Sequence, residues 1–149
     1  MEKKNLVNTL DRIFLPAGFK RKGNSWVDNK GEIVKIANLQ KSNFGNSFYF
    51  NYGFNLKGLP SAGTMMHIQS RVSPKESAFG KSIDQLLDLE NSISDSDREE
   101  LLTNVIQRDV ISYFQSINTE EQIKEDLINR PNLNSVPYKV REYFNLGIS

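Results

Sequence analysis

Cysteine is absent from this chain of 149 residues, which excludes disulfides, iron–sulfur ligation, thiolate zinc sites and cysteine nucleophiles, and is compatible with a reducing compartment. Histidine is almost as scarce. His67 is the one copy, so no histidine pair exists to hold a hydrolytic zinc. A serine hydrolase would have to assemble its triad from distant residues around His67, because no nucleophile elbow is present. Long apolar runs are missing too: none approaches the roughly 18 residues that span a bilayer. Near the start, Asn5, Asn8, Thr9 and Asp11 interrupt what would have to be an apolar signal core. These absences lead to the expectation of a soluble cytoplasmic protein with no cofactor, no metal and no membrane partner.

The composition that remains is ordinary for one globular domain over residues 1–149, with 38% hydrophobic and 25% charged residues. The formal charge of +1 conceals a polarity along the chain. Up to Lys81 there are 13 basic against 5 acidic residues, and from Ser82 onward 6 against 13. Such a division suits either an acidic partner for the basic half or two halves that partly neutralise each other's field.

Local periodicity divides the chain in the same place. Leu6, Val7, Leu10, Ile13 and Phe14 recur at helical spacing until Pro16 and Gly18 end the run. Phe19–Lys22 and Ser25–Asp28 read as short extended pieces, and Asp28-Asn29-Lys30-Gly31 has the composition of a tight turn. The next strand, Glu32–Lys41, carries Ile33, Ala37 and Leu39 on one face and Val34 and Ile36 on the other, so its first half is expected to be covered on both sides. After an Asn/Ser/Gly-rich loop, Phe48, Phe50, Tyr52, Phe54 and Leu56 alternate with Tyr49, Asn51, Gly53 and Asn55. That strict period of two makes the aromatic stripe core and the other face polar. Met65–Val72 reads as a further strand, closed by Pro74.

From Ser82 onward the pattern is helical. Ile83, Leu86 and Leu87 mark a short helix. A long one carries the stripe Leu102, Val105, Ile106, Val110, Tyr113, Phe114 and Ile117, with Ser96 and Glu99 at capping-box spacing. Thr119 and Gln122 repeat that spacing before another helix, and Ser135 with Pro137 opens a last one that Gly147 stops. Strands first and helices after predict an α+β fold: an N-terminal helix, an antiparallel sheet of about four or five strands, and a helical C-terminal half packed on it.

Two motifs carry less than they suggest. Gly80-Lys81-Ser82 ends like a phosphate-binding loop, but Lys75 stands where its first glycine is required. Asp95, Asp97, Glu99 and Glu100 lack the glycine and distal glutamate of a calcium-binding loop, and suit a helix N-terminus instead.

Four ordered motifs carry a family likeness: Gly18-Phe19-Lys20-Arg21-Lys22-Gly23, Ile36-x-Asn38-x-Gln40-Lys41-Ser42, Phe48-x-x-Asn51-x-Gly53 and His67-Ile68-x-x-Arg71. Together with Tyr113-Phe114 and Thr119 in the second half, they resemble the bacterial domain-of-unknown-function 4304 family. The resemblance implies a fold across nearly the whole chain. It implies no activity, so no catalytic residue is carried over from it.

Strand parity supplies the candidate site. If the three long strands share a sheet, the face opposite the aromatic stripe collects Tyr49, Asn51, Asn55, His67, Gln69 and Arg71, with Asn38 and Gln40 joining by register. Lys20 and Lys41 extend it with positive charge. Amides and a guanidinium in one place can hydrogen-bond an anionic group on a protein or a small ligand. The plain alternative is a solvated sheet face, which antiparallel sheets commonly present. A second surface is also open to consideration, with Lys20, Arg21, Lys22 and Lys41 tracking phosphates while Phe19, Trp26 and Phe44 stack on nucleic-acid bases. The expectation is a non-catalytic binding protein. Nucleic-acid binding and a hydrolase-like pocket around His67 are the alternatives, and no residue is assigned a catalytic role.

Overall fold

The computed structural model of the protein describes residues 1–60, 65–72, 80–131 and 136–147. Pro74, Lys75 and Ser135, to which the sequence reading gave roles, lie outside these ranges, as does the stretch 61–64. The fold is the expected α+β arrangement. Helix α1 (Lys3–Phe14) is followed by strands β1 (Lys20–Lys22), β2 (Ser25–Asp28), β3 (Ile33–Lys41), β4 (Phe48–Leu56) and β5 (Ile68–Arg71). Helices α2 (Ile83–Leu86), α3 (Asp95–Ile106), α4 (Ser112–Ser116), α5 (Glu120–Ile128) and α6 (Tyr138–Phe144) complete it, with a π-helical turn at Gln107–Ile111 joining α3 to α4.

The five strands pair in chain order, every pair antiparallel. Register fixes which side chains share a face, because directly opposed residues in an antiparallel pair lie on the same side. Leu39 opposes Phe50, Ala37 opposes Tyr52 and Trp26, and Ile33 opposes Leu56, so the stripe read from β4 meets apolar partners on its neighbours. Helices cover this face. Phe14 of α1 stacks against Trp26 and Phe50, while Phe114 of α4 packs against Phe19, Tyr52 and Phe54. Asp11 on α1 also accepts from Trp26 Nε1 at 2.9 Å and from Arg21 Nε at 3.0 Å, which ties the β1–β2 hairpin to the helix above it. Lys35 and Lys41 are the charged residues of β3 on this side, and Lys35 is the one tied to the helices. Its Nζ donates to Phe114 O at 2.6 Å and Asn118 Oδ1 at 2.7 Å, closing the end of α4, and burial pushes its pKa below the ordinary lysine value.

Helix ends follow the expected chemistry with some shifts of position. Thr119 and Gln122 form the expected capping box, and Ser82 with Gln85 forms a second. Helix α3 is capped by Ser94, whose Oγ accepts from Asp97 N, in place of the Ser96–Glu99 box. The last helix ends at Asn145 in the left-handed conformation (φ 58°), two residues before the glycine expected to stop it.

The second half is locked to the sheet through a buried cation. Arg98 has no exposed surface. Its Nη1 donates to the carbonyls of Leu86 and Asp88, with a longer contact to Gln85 O at 3.4 Å, and its Nη2 donates to Asn91 O at 2.9 Å. Burial lowers its pKa, and nearby Asp95 and Asp88 partly offset this. The segment that it gathers pairs with the start of β4, on the edge that β5 takes further along: Phe48 N donates to Leu87 O, and Leu89 N to Asn46 O.

Candidate functional site

The face of the sheet opposite the helices carries Lys20, Lys22, Ser25, Val27, Val34, Ile36, Asn38, Gln40, Tyr49, Asn51, Gly53, Asn55, Gln69 and Arg71 by register. This is the face that parity predicted, but it is not one surface. The residues leading into β5 cross over half of it. Asn55 Nδ2 donates to Met65 O at 3.1 Å, His67 N donates to Asn55 Oδ1 at 2.7 Å, and Ser25 Oγ lies 3.9 Å from Met65 Sδ. Ile36 is buried beneath this crossing, so the expectation of cover on both sides of β3 holds there.

Gly53 permits the crossing. A Cβ at this position would stand 1.9 Å from Ile68 O and 2.9 Å from Ile68 C. The space beside Gly53 is therefore filled by the backbone of β5, and the glycine serves close approach of two main chains.

His67 belongs to the covered half. Its Nδ1 accepts from Leu56 N at 2.9 Å, and its Nε2 lies 3.0 Å from Pro60 O. A backbone N–H on Nδ1 leaves the proton on Nε2, which donates to the carbonyl. Both nitrogens are thus engaged by main chain, and among the described residues no carboxylate bonds the ring. This is a structural clamp, and it places His67 apart from the open half of the face. His67→Ala should cost about 1–3 kcal/mol by orphaning the buried Leu56 N–H, read as a lower denaturation midpoint with faster amide exchange at Leu56. Unchanged exchange there would remove the clamp.

The other half stays open and is organised around Arg71. Its Nε donates to Asn51 Oδ1 at 3.0 Å and its Nη2 to Gln40 Oε1 at 3.1 Å, while Asn51 Nδ2 donates to the same Gln40 oxygen at 2.9 Å. The guanidinium carbon sits 4.2 Å from the centroid of the Tyr49 ring, a cation–π contact. Three residues from two strands therefore fix one cation on a third. Asn51 is buried, Tyr49 half-buried, and Gln40 and Arg71 exposed.

The remaining candidates fall elsewhere. Gln69 lies on the open side of β5, exposed and opposite Gly53. Lys20 is on the predicted face but at the far edge, in the row of Val27, Ile36, Gly53 and Gln69. The β1 residue in Arg71's own row is Lys22, reached through Ser25, Asn38 and Asn51. Four strand spacings separate the two ends, roughly 19 Å, so neither lysine shares a ligand group with Arg71. Lys41 is a correction: it opposes Phe48 on the helix side, lies 5.6 Å from that ring, and donates to Gly45 O. Its parity with Ile33, Ala37 and Leu39 carried that signal.

The nucleic-acid surface is not assembled either. Of the three rings considered, Phe19 and Trp26 are buried and Phe44 is 82% exposed, while Arg21 is paired with Asp11.

The arginines differ in how they are held. The exposed Arg12, Arg21 and Arg108 each have a carboxylate within salt-bridge distance, Glu99, Asp11 and Asp109 respectively. Exposed Arg71 has none among the described residues. Its Nε and Nη2 are on amide oxygens, and Nη1 has no partner there. With one edge of the fork and one ring face occupied, the Nη1–Nη2 edge remains for an incoming pair of oxygens.

A family model described as "Domain of unknown function (DUF4304)" matches residues 10–116. That range contains the whole sheet, α1 from Leu10 onward, Arg98 and α3 through the end of α4. No curated protein and no solved structure matches the chain.

Proposed function

This chain belongs to the DUF4304 family, a domain of unknown function, so its chemistry rests on its own residues, and we propose that it is a non-catalytic binding protein whose open half-face seats an anionic group of a protein or small ligand on Arg71. One observation carries this reading: an exposed guanidinium is held by two neutral amides and a tyrosine ring, with no carboxylate among the described residues to neutralise it. Holding a flexible arginine in this way reduces the side-chain entropy that an incoming anion must otherwise overcome. A planar carboxylate meets the free Nη1–Nη2 edge with two parallel hydrogen bonds. The tyrosine beneath keeps the guanidinium plane in place without competing for its donors.

A photo-crosslinking residue at exposed Gln69 tests this, with binding to the captured partner then measured on purified components. Arg71→Ala takes the donor from the buried Asn51 Oδ1, so it should cost no more than about 1–3 kcal/mol, leave the protein folded and abolish capture. Arg71→Lys keeps the charge but loses the planar fork, and it should restore little binding. Equal capture by wild type and Arg71→Ala would refute the assignment.

A further inference from the structure

Apart from the Arg71 face, the structure holds a cavity of about 380 Å³ between Leu59, Pro60 and His67 on one side and helix α6 with Pro137 on the other. We propose that this cavity is a binding site for a small, neutral, mainly apolar molecule. Three observations carry the proposal.

The first is size. The volume lies in the lower part of the range for small-molecule sites, roughly 300–1,000 Å³.

The second is the lining. Leu59 and Pro60 from one side and Pro137 and Val140 from the other supply apolar walls. The lip carries one ammonium, Lys139, and one carboxylate, Glu142, both exposed, so charge selects neither anions nor cations.

The third is that two rings of the wall are fixed in advance. His67 is pinned through both nitrogens, to Leu56 N and Pro60 O. Tyr143 donates its hydroxyl to Glu120 Oε1 at 2.8 Å. Gly58 leaves the space that this phenol occupies, since a Cβ there would lie 2.7 Å from Tyr143 Oη and 3.3 Å from Cε1. Walls set by main-chain hydrogen bonds and a missing Cβ do not have to be ordered when a ligand enters. The occupant gains burial of its apolar surface and, among the described residues, meets few polar groups with free valences.

The test uses N-phenyl-1-naphthylamine, a neutral dye that brightens in apolar surroundings, titrated into the full chain with amide chemical shifts followed in parallel. The expected result is saturable one-to-one binding, with shifts centred on Leu59, His67, Val140 and Tyr143. Val140→Trp, which fills the floor, should remove the binding. Because Val140 is in the core and that variant can unfold, Lys139→Trp at the exposed lip provides the second arm, and it should weaken binding at least about tenfold, or 1.4 kcal/mol. Arg71→Ala should leave dye binding unchanged, which separates this cavity from the sheet face. Non-saturable brightening, shifts centred elsewhere, or full binding by Lys139→Trp would overturn the proposal.

Discussion

Replacing Arg98 by methionine should destabilise the protein by about 3–5 kcal/mol, the scale seen when a buried charge network loses one side, or on the order of 10 °C in Tm for a chain of this length. Methionine retains most of the side chain's length and apolar stem, so the loss comes from the guanidinium. The carbonyls of Leu86, Asp88 and Asn91 each lose a charged donor, in a region where Leu86 and Leu87 are buried. Desolvating the arginine offsets part of this, as its lowered pKa indicates, but the orphaned acceptors outnumber the one relieved cation. Arg98→Lys should recover less than half of the loss, because a single ammonium cannot reach acceptors spread from residue 85 to residue 91. The damage should also spread, since Leu87 O and Leu89 N hold the start of β4. Amide exchange at Phe48 and Leu89 is the local readout. A methionine variant that melts within about 2 °C of wild type would mean that the guanidinium is not the tie.

Gly53→Ala should be comparably severe for a different reason. The added methyl would stand 1.9 Å from a main-chain oxygen, and backbone cannot swing aside as a side-chain end can. Strand β5 must move away from β4, at a cost of about 3 kcal/mol or more, the upper range for overpacking. The pairs Gly53–Gln69 and Asn51–Arg71 lie on the strand that moves. The alanine variant should therefore lose amide protection across Ile68–Arg71 and partner capture at Arg71, while the β2–β3 ladder stays protected. Protection in β5 equal to wild type would contradict the close approach. A Tm drop without loss at β5 would put the strain elsewhere.

These two residues were also the least legible in the sequence. Arg98 sits in Asp-Ser-Asp-Arg-Glu-Glu, a run that reads as the acidic, solvated start of a helix, and nothing local marks one of its charges as buried. Gly53 was legible as a departure from the β4 pattern, but a missing side chain looks the same whether it leaves a hollow or admits a neighbouring backbone. By contrast, the Phe48–Leu56 stripe and the Thr119–Gln122 box were readable because each depends on a period or an offset within one element. The polar side of the sheet was equally readable, although Lys41 was expected there against its own parity with Ile33, Ala37 and Leu39.

Chain-local physics therefore determined the α+β order, the antiparallel strands, the aromatic core and the side of the sheet on which Tyr49, Asn51, Gln69 and Arg71 stand. The tertiary structure alone decided how that side is divided. The crossing from Met65 to Ile68 takes Asn55 and His67 into a clamp, leaves Gln40, Tyr49, Asn51 and Arg71 open, and sets Lys20 a sheet's width away. Side-chain alternation is a property of one strand, whereas cover, register between strands and the company a buried cation keeps depend on segments far apart in sequence, whose meeting no local pattern encodes.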